Sequence, residues 1–157
     1  MPSAMTLTEQ VEVGMLLLLA AFLSALVGMD RERREKDAGI RTHMLVGVGA
    51  CLFAALSRLA FPYADTSRVA SNIVTGVGFL GAGVIWRSQR KVHDLTTAAS
   101  IWATAAIGMT VGAGAWLLAI IGTLLIWIIL AVLAYLPMRD KDDEQDRDLV
   151  EGSVDEP

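Results

Sequence analysis

The feature that most constrains this chain is the way its apolar residues are blocked. Five stretches hold most of them: "VGMLLLLAAFLSALVGM" (13–29), "MLVGVGACLFAALS" (44–57), "VASNIVTGVGFLGAGVIW" (69–86), "LTTAASIWATAAIGMTVG" (95–112) and "AWLLAIIGTLLIWIILAVLAYL" (115–136). A bilayer core about 30 Å thick is crossed by roughly 20 predominantly apolar residues, with about 17–25 the usual range. The first and last blocks meet that length directly, and the second does when read from His43 to Phe61. The third and fourth are rich in Gly, Ala, Ser and Thr, but neither contains an Asp, Glu, Lys or Arg. The chain is 54% apolar, above the roughly 45–50% of a soluble domain. The fold class expected is all-α: a polytopic membrane bundle of five transmembrane helices, at about 13–29, 43–61, 69–86, 95–111 and 115–136.

Charge placement orients the bundle. Eleven Lys and Arg fall after helices 1, 3 and 5, among them Arg31, Arg33, Arg34, Lys36 and Arg41, while only Arg58 and Arg68 lie on the alternate side. Cytoplasmic loops carry the excess of basic residues, so the N-terminus is expected outside and the C-terminus in the cytoplasm. Residues 1–12, the external segment, contain no Lys or Arg. The basic region of a secretion signal is therefore missing, and helix 1 is expected to be retained. After Pro137 the character changes, with nine acids against three bases up to residue 157. Such a tail buries too little apolar surface to order itself and is expected to be disordered. Cys51, the one cysteine, reads as a small buried apolar residue.

Gly76, Gly78 and Gly81 have the G-x-G-x-x-G spacing of a dinucleotide loop. That loop needs a preceding strand and a soluble βαβ unit, and here the glycines sit inside an apolar run of membrane length. In lipid, small residues collect where helices approach closely. On a helical wheel Ser71, Thr75, Gly78 and Ala82 form one stripe, extended by Asn72, Gly76 and Gly83, and Ile73, Val77, Leu80 and Val84 form the opposite arc. The stripe is expected to face protein and the arc lipid. Two readings of the glycines stay open: tight packing, or a local break in helix 3 whose carbonyls face a cavity. Asn72 is expected to hydrogen-bond to another helix. Helix 4 carries a second stripe of Thr97, Thr104 and Gly108.

The remaining polar residues gather at the cytoplasmic rim: Asp30, Arg31 and Glu32 end helix 1, Arg41, Thr42 and His43 open helix 2, and Asp94, Thr96 and Thr97 open helix 4. Boundary charges usually anchor helices to headgroups. Asp30 and Arg41 lie nearest the apolar segments and are expected to pair, locking helix 1 to helix 2. His43 reads as a helix-start hydrogen-bonding group rather than a metal ligand, and Asp94 or Thr96 as a cap of helix 4. Ser71 and Ser100 show no His and acid partners placed to activate them, so no catalytic residue is assigned. Mg²⁺ is held mainly by carboxylates, and helices 2 to 5 contain none. No metal site, other cofactor or nucleic-acid partner is expected.

The segments "VGMDRERREKDAGIRTHMLVGVGACLF", "DTSRVASNIVTGVGFLGAGVIW" and "VHDLTTAASIWATAAIGMTVGAG" together resemble the membrane domain of the MgtC/SapB family of bacterial inner-membrane proteins. The resemblance runs from about residue 14 to 136. It implies a multi-span protein linked to growth in low magnesium and, in pathogens, to survival inside macrophages. In some members it implies restraint of the membrane ATP synthase and effects on phosphate uptake, and it implies no established catalysis. Matching positions carry over Asp30, Arg31, Glu32, Arg41, Thr42, His43, Thr96 and Thr97, with Gly76, Gly78, Gly81 and Gly83. Asp94 departs from the Gly that many members have before L-T-T, and the acidic tail stands where some members carry an ACT-like domain. The expected function is regulatory, through contacts with the chain's own copies or other membrane proteins; the alternative is an ion or small-solute transporter.

Overall fold

The computed structural model describes residues 5–60, 65–86 and 95–132, and among these every regular element is a helix. They are α1 (Leu7–Arg33), α2 (Ile40–Ala60), α3 (Thr66–Trp86), α4 (Leu95–Gly112) and α5 (Trp116–Val132). The first four are long and apolar enough to cross a membrane. α5 has 17 described residues, and its apolar run continues in sequence to Leu136, outside the described region. Asp94 and the acidic tail also lie outside it.

α1 starts six residues before the apolar block. Thr6 is its N-cap and forms a capping box with Glu9: the Glu9 N–H donates to the Thr6 hydroxyl at 3.3 Å, and the Thr6 N–H to the Glu9 carboxylate at 2.7 Å. Hydropathy marks where lipid begins, whereas the cap marks where the helix begins. Residues 7–12, part of the leading segment ahead of the apolar block, are accordingly helical. At 1.5 Å per residue, the 27 residues of α1 are longer than a hydrocarbon core about 30 Å thick. The turn after it passes through Glu35 at φ 53, a left-handed position that a non-glycine residue adopts at some cost. Between α4 and α5, Gly114 takes φ 86. There the Gly114 and Ala115 N–H groups donate back to Val111 and Thr110, which closes the helix end.

α4 is the hub and touches all four other helices. It is buried on most sides, through Thr97, Ser100, Ile101, Thr104, Ala105, Gly108 and Val111 among others. α1, α2 and α4 pack through glycine. A side chain at Gly108 would strike the Gly47 backbone, and one at Gly112 the Cys51 backbone; at Gly47 it would strike Ser24. At Gly28 it would come within 2.7 Å of the Ile40 Cα and 3.1 Å of the His43 Cβ. Large apolar residues lie outside instead: Phe79 is 76% exposed and Leu45 74%. Small residues inside and large ones outward is the arrangement that lipid favours, because burial between helices gains little there beyond close packing.

Two readings of α3 are corrected. The helix is continuous from Thr66 to Trp86, so the glycines do not break it. Its inward face is Ile73, Val77 and Gly81, with Gly81 against Ala98 of α4. Ser71, Thr75, Gly78 and Ala82 are exposed, so within the chain Ile73, Val77 and Val84 of the apolar arc pack, Leu80 stays exposed, and the small stripe does not pack. The wheel divided the faces correctly but could not say which one the neighbouring helix uses. The α4 stripe Thr97, Thr104 and Gly108 is buried, and Cys51 lies in the core with Leu23, Val27 and Val111.

Candidate functional site

The polar residues of one rim converge. The end of α1, the starts of α2 and α4, and the end of α5 meet there, and Arg34 reaches the Ala131 carbonyl at 3.4 Å. At the opposite end Arg58 of α2 meets Glu12 of α1 at 3.4 Å in an exposed ion pair, so the two helices run antiparallel.

Asp30 does not pair with Arg41. Its carboxylate takes Arg31 Nε at 3.0 Å, a further contact from Arg31 Nη2, and Arg34 Nε at 3.1 Å. All three residues belong to the end of α1, where i and i+4 positions share a face. The Arg31 side chain is 4% exposed and that of Asp30 11%. Arg41 is exposed. The α1–α2 lock is made instead by Glu32, whose carboxylate accepts the Ile40 N–H at 2.7 Å and lies against Gly39. A carboxylate from the preceding helix thus serves an orphan donor at the start of α2.

His43 is fully buried. Its Nδ1 lies 2.9 Å from the Gly39 carbonyl and its Nε2 3.0 Å from Ser100 Oγ. A carbonyl only accepts, so Nδ1 carries hydrogen, and Nε2 of the neutral ring accepts from Ser100. Ser100 Oγ also lies 2.8 Å from the Thr97 carbonyl, a second acceptor for the same hydrogen. Of the His and acid partners that the sequence did not place beside Ser100, the fold supplies the histidine, with the Gly39 carbonyl rather than an acid on its other nitrogen. The pair joins α2 to α4, and with His43 0% and Ser100 2% exposed it faces the protein interior. Nothing in the spacing of positions 43 and 100 revealed it. The spacing of hydroxyls at 97, 100 and 104 is the signal from which the buried position of Ser100 could have been read.

Thr97 is fully buried, whereas Thr96 is exposed within the first turn of α4 and does not precede the helix as a cap. Among the described residues no three His, Cys, Asp or Glu side chains gather as metal ligands. Ser24 is a residue that sequence reasoning passed over: its buried hydroxyl has no hydrogen-bond partner among the described residues and sits against Gly47. Outside the rim, a groove of about 670 Å³ runs between α2 and α3. Thr42, Asn72 and Gly76 line it, and Asn72 makes no hydrogen bond to another helix among the described residues. A side chain at Gly76, Gly78 or Gly83 would meet nothing within 4 Å.

Helices with small residues inside, large apolar residues outside and a polar rim define a multi-pass membrane protein. The model of the MgtC family matches residues 17–138, and the chain belongs to that family. It is 44% identical over 131 residues to an Escherichia coli K12 protein named "Putative magnesium transporter YhiD", covering 78% of this chain and 61% of the relative. To the "Protein MgtC" of Salmonella typhimurium LT2 it is 44% identical over 110 residues, 70% of this chain and 47% of the relative. To the "Protein MgtC" of Brucella abortus strain 2308 it is 45% identical over 95 residues, 60% and 40% respectively. The chain thus spans between two fifths and three fifths of the relatives it matches. No solved structure matches it.

Proposed function

We propose that this protein is a non-enzymatic regulator of the bacterial inner membrane that works by helix contact with other membrane proteins, its own copies included. Its N-terminus lies outside and its C-terminus in the cytoplasm. The observation that carries the reading is the outward small-residue face of α3. Ser71, Thr75, Gly78 and Ala82 are exposed, although small faces in lipid serve close helix approach. The chain's own packing leaves that face for another helix. The family's link to low magnesium, stress adaptation and virulence, and to the ATP synthase as a partner, supplies the setting. The inward-facing His43–Ser100 pair supports a role other than catalysis.

Gly78→Leu tests this directly, because Gly78 is exposed and a Cβ added there meets nothing within 4 Å. It should leave the helical content and melting of the purified protein unchanged while abolishing complementation of a deletion strain in low magnesium. Crosslinks from Gly78→Cys in native membranes should capture another protein or a second copy. A monomer without partners, together with full activity of Gly78→Leu, would overturn the reading.

A transporter is the second reading, favoured by the printed name of the Escherichia coli relative. It predicts magnesium or solute flux in proteoliposomes that Asp30→Asn abolishes. Flux no greater than that of empty vesicles removes it.

A further inference from the structure

The groove between α2 and α3 combines three properties that point to one occupant. Its lining is apolar except for two polar side chains, Thr42 and Asn72. Its α2 wall runs from Thr42 to Phe53 and its α3 wall from Val69 to Leu80. At 1.5 Å per residue each wall is about 16 Å long, close to half of a hydrocarbon core about 30 Å thick. One acyl chain of one leaflet has that length.

One exposed cation stands on the helix stripe that leads to the rim end of the groove, on the far side of Gly39 from the exposed carboxylates Glu35 and Asp37. Leu45 and Gly49 line the groove, and stepping back one turn along the same stripe of α2 reaches Arg41, with Thr42 beside it. Arg41 is exposed and has no ion-pair partner among the described residues, whereas Asp30 is held by Arg31 and Arg34 and Glu32 by the Ile40 N–H. A guanidinium at the membrane boundary is matched to a phosphate both by charge and by its fork of donors. Gly49 and Gly76 keep the slot open, since a side chain on either would meet nothing within 4 Å. We infer that this groove binds one anionic phospholipid, with an acyl chain along α2 and α3 and the headgroup phosphate on Arg41 and Thr42.

The test uses the purified full chain without other proteins, so its outcome is independent of the α3 contact face. Delipidated protein is mixed with equal amounts of phosphatidylglycerol and phosphatidylcholine of the same acyl chains, and retained lipid is counted by native mass spectrometry. One phosphatidylglycerol should be retained per chain. A basic residue near the surface contributes about 1 kcal/mol toward an anionic lipid, so the preference should be about five-fold. Arg41→Gln should lower phosphatidylglycerol to the phosphatidylcholine level. Gly76→Leu, whose Cβ meets nothing within 4 Å and whose side chain enters the slot, should remove both lipids. Gly83→Leu, outside the lining and with its Cβ equally free, should retain lipid like the parent.

Equal retention of the two lipids by the parent protein overturns the proposal, as does retention that Gly76→Leu leaves unchanged. So does a disulfide between two chains bearing Gly49→Cys in lipid-replete membranes, which would make a second copy the occupant.

Discussion

Gly108 and Gly78 are both glycines inside an apolar helix, with opposite surroundings. At Gly108 there is no room for even a Cβ, because the backbone of Gly47 already stands there; at Gly78 a Cβ would find no neighbouring helix within 4 Å. The same residue type closes the α1–α2–α4 core in one place and leaves a bare helix face in the other. A glycine-rich stretch therefore locates a site of close approach without saying whether the approaching helix belongs to the same molecule.

The largest effect should come from putting the same side chain on both. Gly108→Leu forces backbone apart from backbone, and overpacking that typically costs about 1–3 kcal/mol should here reach at least about 3. Gly78→Leu should stay within about 0.5 kcal/mol, as surface changes do. Unfolding of each in mild detergent by added denaturing surfactant measures the difference. If both melt alike, the distinction between the two glycines is lost.

The rim offers a second pair on the same principle. Asp30→Asn removes the negative charge against which the buried Arg31 is held. Complete burial would make that a loss of about 3–5 kcal/mol, and at a rim reached by headgroups about 2 is expected. Arg41→Gln removes an exposed cation and should cost less than about 0.5 kcal/mol. Equal losses would restore the Asp30–Arg41 lock that the sequence suggested. Ser100→Ala comes next. It leaves His43 Nε2 without its partner across α2 and α4, and interhelical hydrogen bonds in lipid average about 0.6 kcal/mol with a maximum near 1.7. A loss of about 1 kcal/mol is expected, restored by Ser100→Thr if the hydroxyl is what matters.

The helical class was legible because lipid writes itself into long apolar runs, and the rim was legible because charges cannot stay within them. Contacts between helices were less so. Periodicity divided α3 into a small face and a large one, but their use depends on where α4 lies, which no local pattern encodes. The Asp30–Arg41 pairing failed for a related reason. Arg34 sits one helical turn from Asp30, and a partner on the same helix needs no second helix to be placed. His43 and Ser100 are 57 positions apart, and only the fold brings them together.

The ends of the helices repeat the contrast between core and edge, and give the smallest prediction. α2 begins on a carboxylate supplied by α1, through Glu32. α3 begins on its own, through Asp65, whose carboxylate accepts the Ser67 N–H at 3.0 Å and the Ser67 hydroxyl at 2.6 Å. Those two bonds hold the Asp65 carboxyl below its ordinary 3.8, because they favour the ionised form. A carboxyl with a lowered pKa in the folded state stabilises fully above its unfolded value. That contribution fades as pH falls through the folded one. The stability gap between the parent and Asp65→Ala should therefore be constant from neutral pH down to the ordinary carboxylate range and close below it. Asp65 is fully exposed, so the gap should be the smallest of those argued above. For Glu32, whose carboxylate joins two helices, Glu32→Ala should loosen α1 from α2 as well as fray a helix start. Site-resolved hydrogen exchange separates the two: Asp65→Ala should speed exchange only in the first turn of α3, whereas Glu32→Ala should speed it on both sides of the turn between α1 and α2. Matching, purely local patterns would mean that α2 is no more dependent on its neighbour than α3 is.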